Sequence, residues 1–294
     1  MKKRGESRTR SGLAVLLWLA VFCLAIVPAL AQAETDTDSD GLPDSVEQAG
    51  LTVNGAFYPP CVTGSVRNTC LSYTTKDVFA IILRAQTGSL FPTDPLAFME
   101  ASEPTWGVHY LTQNTTVADQ TGTVNGRTVY SDASMTQHAL RFTEDNVSTL
   151  SSGNLLGLTT WGTPNGYDDS KIYSLRLKQW FTETSTASGI TKVCYSTTAS
   201  PLTPSNKTTQ CAAPANSTFM TNLQNIYLES IIGHEAGHQM ELTAAYNATY
   251  GYHYAASTSP TEMMQYVYYT SKSGTLTWYI GDRYESTDSP ALRP

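Results

Sequence analysis

The chain reads as an α+β domain in which a mixed β-sheet packs on one long helix. Three observations predict it: short apolar runs of strand character fill the first half, a proline-free amphipathic segment with two histidines follows, and an alternating strand lies beyond. The sequence divides into a leader at 1–33, an acidic loop at 34–50 and a main domain at 51–294.

The leader has Lys2, Lys3, Arg4, Arg8 and Arg10 ahead of an apolar run from Leu13 to Leu30, then small residues at Ala29, Ala31 and Ala33. This is the layout of a secretory signal peptide, with cleavage expected after Ala31 or Ala33. An uncleaved anchor helix is the alternative, and Pro28 with two overlapping cleavage signals speaks against it. Export to the extracellular space, with no membrane attachment after cleavage, is the expected localisation. The first 33 residues hold five basic and one acidic residue, which leaves 13 Lys+Arg against 24 Asp+Glu, a net of −11. Such a surface repels a phosphate backbone, so no nucleic-acid partner is expected.

Next comes Asp36-Thr37-Asp38-Ser39-Asp40-Gly41-Leu42-Pro43-Asp44-Ser45-Val46-Glu47. Acids at positions 1, 3, 5, 9 and 12 and glycine at 6 follow the spacing of a 12-residue loop that wraps oxygens around Ca²⁺, with the Leu42 carbonyl at position 7. A solvated acidic linker gives no reason for Gly41 and Glu47 to fall on pattern. Pro43 has no N–H with which to pair a second loop, so a paired EF-hand is not expected. The segment resembles the isolated DxDxDG calcium loops of thrombospondin type 3-like repeats, and that resemblance implies a structural Ca²⁺ bound by Asp36, Asp38, Asp40, Leu42, Asp44 and Glu47.

Within the main domain, Val78-Phe79-Ala80-Ile81-Ile82-Leu83 predicts a buried strand over 77–85. Thr93-Asp94-Pro95 predicts a helix start capped by Asp94. Val108–Leu111, Ala139–Phe142 and Tyr173–Leu177 are read as further strands, and the Ser/Thr/Pro/Asn-rich stretch 182–218 as a long loop. Cys23 lies in the leader, leaving four cysteines. Short separations favour the pairs Cys61–Cys70 and Cys194–Cys211. A free Cys61 that blocks a metal in a latent form is the rival role.

The segment 219–246 places Leu223, Tyr227, Ile231, His234 and His238 at steps of three and four, the period of one inward helix face. It contains His234-Glu235-Ala236-Gly237-His238. Histidines four apart share a helix face and can present two imidazoles to one Zn²⁺, with Glu235 beside them as general base. With five histidines in 294 residues, a chance match is expected in roughly one chain in three hundred. Two core histidines without a metal are the bland alternative.

A catalytic zinc takes three protein ligands and a water. Glu241 lies about two turns, roughly 10 Å, along the axis from His234 and cannot easily share its ion. Gly251 offers a turn that can return His253 to the metal, which makes His253 the expected third ligand. Glu262 is the alternative, although Ser259-Pro260-Thr261-Glu262 also reads as a capping box. An acid near the C-terminus is a third choice. His109 and His138 could assist the chemistry, but a lone histidine on a strand is more often structural.

HEAGH, a later histidine and Met263-Met264 together resemble the zincin metallopeptidases, with the order His, His, His, Met closest to the metzincin branch. The resemblance covers about residues 222–280. It implies a methionine turn at Met263 or Met264 beneath the metal and an assisting tyrosine among Tyr266, Tyr268 and Tyr269. The chain departs from the metzincin pattern at Glu241 and Ala244, where that pattern has glycine and histidine. The implied activity is hydrolysis of peptide or protein substrates, with Glu235 taking and returning the proton. An adhesion or matrix-binding module that depends on calcium and carries a silent zincin fold is the competing function.

Overall fold

The structure, a computed structural model, describes residues 34–117, 128–132, 135–150, 156–160, 169–198, 207–240 and 268–280. The leader, His253, Glu262, Met263, Met264 and Tyr266 lie outside these residues.

After a short hairpin of β1 (Leu51–Val53) and β2 (Ala56–Tyr58), strand β3 (Asp77–Ala85) organises the domain. Its continuous apolar run is what a strand covered on both faces requires, and successive side chains point to opposite sides. Val78, Ala80 and Ile82 enter one core cluster, while Phe79, Ile81 and Leu83 enter another. Four strands join β3: β4 (Gly107–Val117), β7 (Leu140–Glu144), β8 (Gly157–Thr160) and β9 (Asp169–Ile172). They form a five-stranded mixed sheet in the order β4-β3-β7-β9-β8. β3, β4, β7 and β9 run parallel, and β8 pairs antiparallel with β9 at the edge. The fold is therefore α+β, as expected.

Helix α4 (Ser217–Gln239) packs across β7, β8 and β9. It starts at Asn216, whose side chain accepts from the Phe219 N–H at 3.0 Å and satisfies one of the orphan donors of the first turn. Of the face read from the sequence, Leu223, Tyr227, Ile231 and His238 are buried and His234 is half-buried.

Two elements differ from expectation. Tyr173–Leu177 opens a helix, α3 (Ser174–Ser185), rather than a strand. Tyr173, Leu175 and Leu177 mimic period two over five residues, but the buried set Ser174, Leu177, Phe181 and Ser185 follows the helical period. The stretch expected to be a long loop contains a hairpin, β10 (Lys192–Thr198) and β11 (Lys207–Ala212), with Cys194 directly opposite Cys211. Its β-branched Thr and Val residues suit a strand even where apolar alternation is weak. β10 pairs in parallel with β13 (Thr275–Tyr279), and β12 (Tyr268–Lys272) completes a second sheet in the order β11-β10-β13-β12. Trp278 of β13 stacks on Phe181 and meets Tyr227 edge-on, joining this sheet to α3 and α4.

A smaller difference concerns Asp94. The short helix α2 (Ala97–Ser102) begins after Leu96, and the Asp94 carboxylate accepts from the Tyr110 hydroxyl at 2.5 Å instead of capping it. Both expected disulfides are formed, Cys61–Cys70 and Cys194–Cys211, which leaves no free Cys61 thiol. They fit an oxidising compartment. Among the described residues no helix is long and apolar enough to cross a membrane.

Candidate active site and acidic loop

His234, Glu235 and His238 occupy the last two turns of α4. The two Nε2 atoms are 3.1 Å apart, with the ring planes nearly perpendicular at 88°. Two nitrogens held at about 2.0–2.1 Å by one tetrahedral zinc stand roughly 3.3 Å apart, so this pair fits that ion. His238 is buried and His234 half-buried.

Glu235 is buried beneath the edge strand β8. Its Oε2 accepts the Thr159 hydroxyl at 2.5 Å. Gly157 lies so close that a Cβ there would come within 2.8 Å of Cγ and Cδ of Glu235. Burial pushes the Glu235 carboxyl up to about 7, while hydrogen bonds from Thr159 pull it down. A carboxyl near neutrality is suited to both taking and returning a proton.

The surroundings of Glu235 are ordered by a directed chain of hydrogen bonds. Gln239 Nε2 donates to the Arg141 carbonyl at 2.9 Å and to Ser170 Oγ at 2.7 Å, and Gln239 Oε1 accepts the Arg141 N–H at 2.8 Å. Ser170 Oγ is 2.8 Å from Thr159 Oγ1. Because Thr159 gives its proton to the carboxylate, Ser170 donates to Thr159 and receives from Gln239. Sequence reasoning missed Gly157, Thr159, Ser170 and Gln239. Only the proximity of Gln239 to the motif could have drawn notice.

On the other face of β3, Asp36–Glu47 forms a compact loop leading into α1 (Asp44–Ala49). Asp36 accepts from the N–H groups of Ser39 at 2.7 Å and Gly41 at 2.9 Å. Gly41 sits at φ +92°, a conformation open to glycine and costly elsewhere, which explains its place in the pattern. Leu42 is fully buried in the second core cluster beside Phe79 and Ile81. Burial of such a side chain contributes about 1.5–3 kcal/mol to docking the loop on the domain.

The acids of this loop converge, and the cation that reaches them among the described residues, Lys76, donates to the carbonyls of Asp38 and Ser39. One oxygen each from Asp36, Asp38 and Asp40 lies within 4.8 Å of the others, and the same holds for Asp40, Glu47 and Asp77. Both carboxylate oxygens of Asp38 and of Glu47 are buried with no hydrogen-bond partner. Burial first, then neighbouring acids, push Asp38 up to about 7, Asp40 to about 8 and Glu47 to about 10. Asp44 points elsewhere, accepting from Thr37 N–H at 2.8 Å and Thr37 Oγ1 at 2.7 Å. The Leu42 N–H donates to Asp40 at 2.8 Å. Asp77, at the start of β3, was not expected here.

His109 belongs to this side of the sheet. It bonds Asp77 at 2.7 Å and packs against Tyr58 and Phe79. His138 lies in the small hairpin formed by β5 (Thr128–Ser131) and β6 (Thr136–His138). Tyr269 of β12 rests on Trp180 and Trp278.

Comparison of the chain with protein-family models, with curated protein sequences and with solved structures returns no match to any of the three.

Proposed function

We propose that the chain is an exported zinc-dependent peptidase with a zincin-like arrangement, in which a mixed sheet packs on the helix that carries the metal ligands. The convergence of the His234 and His238 Nε2 atoms to 3.1 Å beside a buried Glu235 carries this reading. Two ordinary core histidines have no need of an acid held between a glycine and a threonine hydroxyl.

His234 and His238 would hold the metal, with His253 as third ligand and Glu262 as its alternative. Zinc bound there would supply Lewis acidity toward a water and a substrate carbonyl. Glu235 takes the proton of the attacking water and returns it to the leaving amine. The Thr159 hydroxyl anchors this carboxylate at Oε2. Strand β8 ends the sheet beside Glu235, and among the described residues no strand pairs with its outer side. An edge strand offers unpaired N–H and C=O groups to an extended chain, which favours a peptide as substrate.

The acidic loop is assigned to structural Ca²⁺. Orphaned carboxylates of Asp38 and Glu47 are costly to bury unless a cation meets them.

Metal analysis of the purified protein, paired with digestion of a broad peptide library, tests the reading. One zinc per chain that is lost in His234→Ala and His238→Ala, together with peptide cleavage that goes with it, is the expected result. Absence of zinc from the wild-type chain after exposure to zinc contradicts it.

A further inference from the structure

We propose that Asp77, the first residue of β3, closes the calcium site from outside the loop and takes the place of Asp44 as a direct ligand. The inference rests on the assignment of Ca²⁺ to residues 36–47 and adds a ligand which the loop pattern does not contain.

Asp44, the acid at the ninth loop position, is turned to Thr37, so the ring of loop oxygens is one acid short. Asp77 stands beside Asp40 and Glu47. One of its carboxylate oxygens shares a 4.8 Å neighbourhood with oxygens of Asp40 and Glu47, and ligands about 2.3–2.6 Å from one Ca²⁺ lie at most roughly 5 Å apart. Glu47 is only 1% exposed, and neither of its oxygens has a hydrogen-bond partner. A buried, unpartnered carboxylate aimed at other acids points to a missing cation rather than to a solvated cluster.

Asp77 is held in place for this role. Its Oδ1 accepts from Arg67 Nη2 at 3.1 Å and His109 Nε2 at 2.7 Å, and its Oδ2 accepts from the Ser72 N–H at 2.8 Å. These donors fill three of about four lone-pair sites and leave one for the ion. The Asp77 N–H donates to Asp40 Oδ2 at 2.6 Å, which joins strand and loop directly. Gly107 has no side chain where a Cβ would strike Asp77 Oδ1. Calcium bound here ties the N-terminal segment to the central strand, whose opposite face carries Val78, Ala80 and Ile82 into the core shared with α4.

Calcium titration calorimetry on the intact chain and its variants tests the proposal. The wild-type chain is expected to bind one Ca²⁺, Glu47→Gln to lose it, and Asp77→Asn to bind about tenfold or more weakly, whereas Asp44→Asn changes affinity less than Asp77→Asn. Wild-type affinity in a folded Asp77→Asn overturns the role of Asp77 alone. No Ca²⁺ binding by the wild-type chain overturns the calcium assignment with it. Should Asp77→Asn fail to fold, a crystal structure of the wild-type chain grown in CaCl₂ decides: an Asp77 oxygen at about 2.3–2.6 Å from the ion supports the proposal, and an ion whose ligands do not include Asp77 overturns it.

Discussion

The Thr159 hydroxyl donates to Oε2 of Glu235 across 2.5 Å, joining edge strand β8 to helix α4 at the one acid of the HEAGH motif. A hydrogen bond to a charged group contributes about 1.5–3 kcal/mol, and here its direction is set by Ser170 and Gln239 behind it. Thr159→Val removes the donor at nearly constant volume. Peptide turnover in that variant is expected to fall roughly tenfold or more with zinc content unchanged, and Thr159→Ser to keep most of it. Steady-state kinetics with metal analysis checks both, and equal loss in the serine variant removes the hydroxyl from the account.

Gly157 presses on the same side chain. Gly157→Ala forces Glu235 to move, because the added carbon has no room beside Cγ and Cδ. Reduced kcat with both histidines still loaded is the expected outcome, read from turnover and zinc content. Full activity would mean that β8 gives way instead.

The acidic loop predicts an unusual dependence of stability on pH. Asp38, Asp40 and Glu47 are raised in the folded chain to about 7, 8 and 10. Raised carboxyls bind more protons folded than unfolded, so their stabilisation is full below the ordinary carboxylate range and is lost as pH rises through the folded values. Melting of the calcium-free chain is therefore expected to move to lower temperature between about pH 6 and pH 9, and millimolar Ca²⁺ to remove most of that fall. Glu100, Glu229 and Glu235, each raised to about 7, share the sign and leave a shallower decline in the loaded chain. Thermal scans with and without Ca²⁺ across this range decide it. A calcium-induced rise in melting temperature that shrinks with increasing pH contradicts the assignment.

The third zinc ligand is open to a direct comparison. His253→Ala is expected to lower zinc occupancy far more than Glu262→Ala, which should instead cost about 1 kcal/mol, the scale of a helix cap. The reverse order, measured by metal analysis and denaturant melts, assigns the ligand to Glu262.

How far the sequence spoke depended on the range of each contact. β3 was legible because six consecutive apolar residues can only be covered on both faces, and α4 because its period extends over several turns. α3 was misread because Tyr173–Leu177 is too short a window to separate the two periods, and Phe181 lies beyond it. The β10–β11 hairpin was hidden because its threonine-rich strands pair through the backbone and through Cys194–Cys211 rather than by an apolar stripe. His234, Glu235 and His238 and the acids of the loop stood out because local spacing alone defines them. Asp77 and Thr159 could not, since they reach their partners Asp40 and Glu235 across separations of 37 and 76 residues, which only the folded sheet closes.

Turnover of a peptide substrate by zinc-loaded Glu235→Gln is the most direct measure of whether Glu235 acts as the base. Glutamine keeps an oxygen for the Thr159 hydroxyl and leaves His234 and His238 untouched, but it cannot accept the proton of the attacking water. The zinc content is expected to match wild type, and kcat to fall by about 10²-fold or more, the contribution of a positioned general base. Undiminished turnover at equal zinc content contradicts the assignment of Glu235 as the base and, with it, the reading of this helix as the active site.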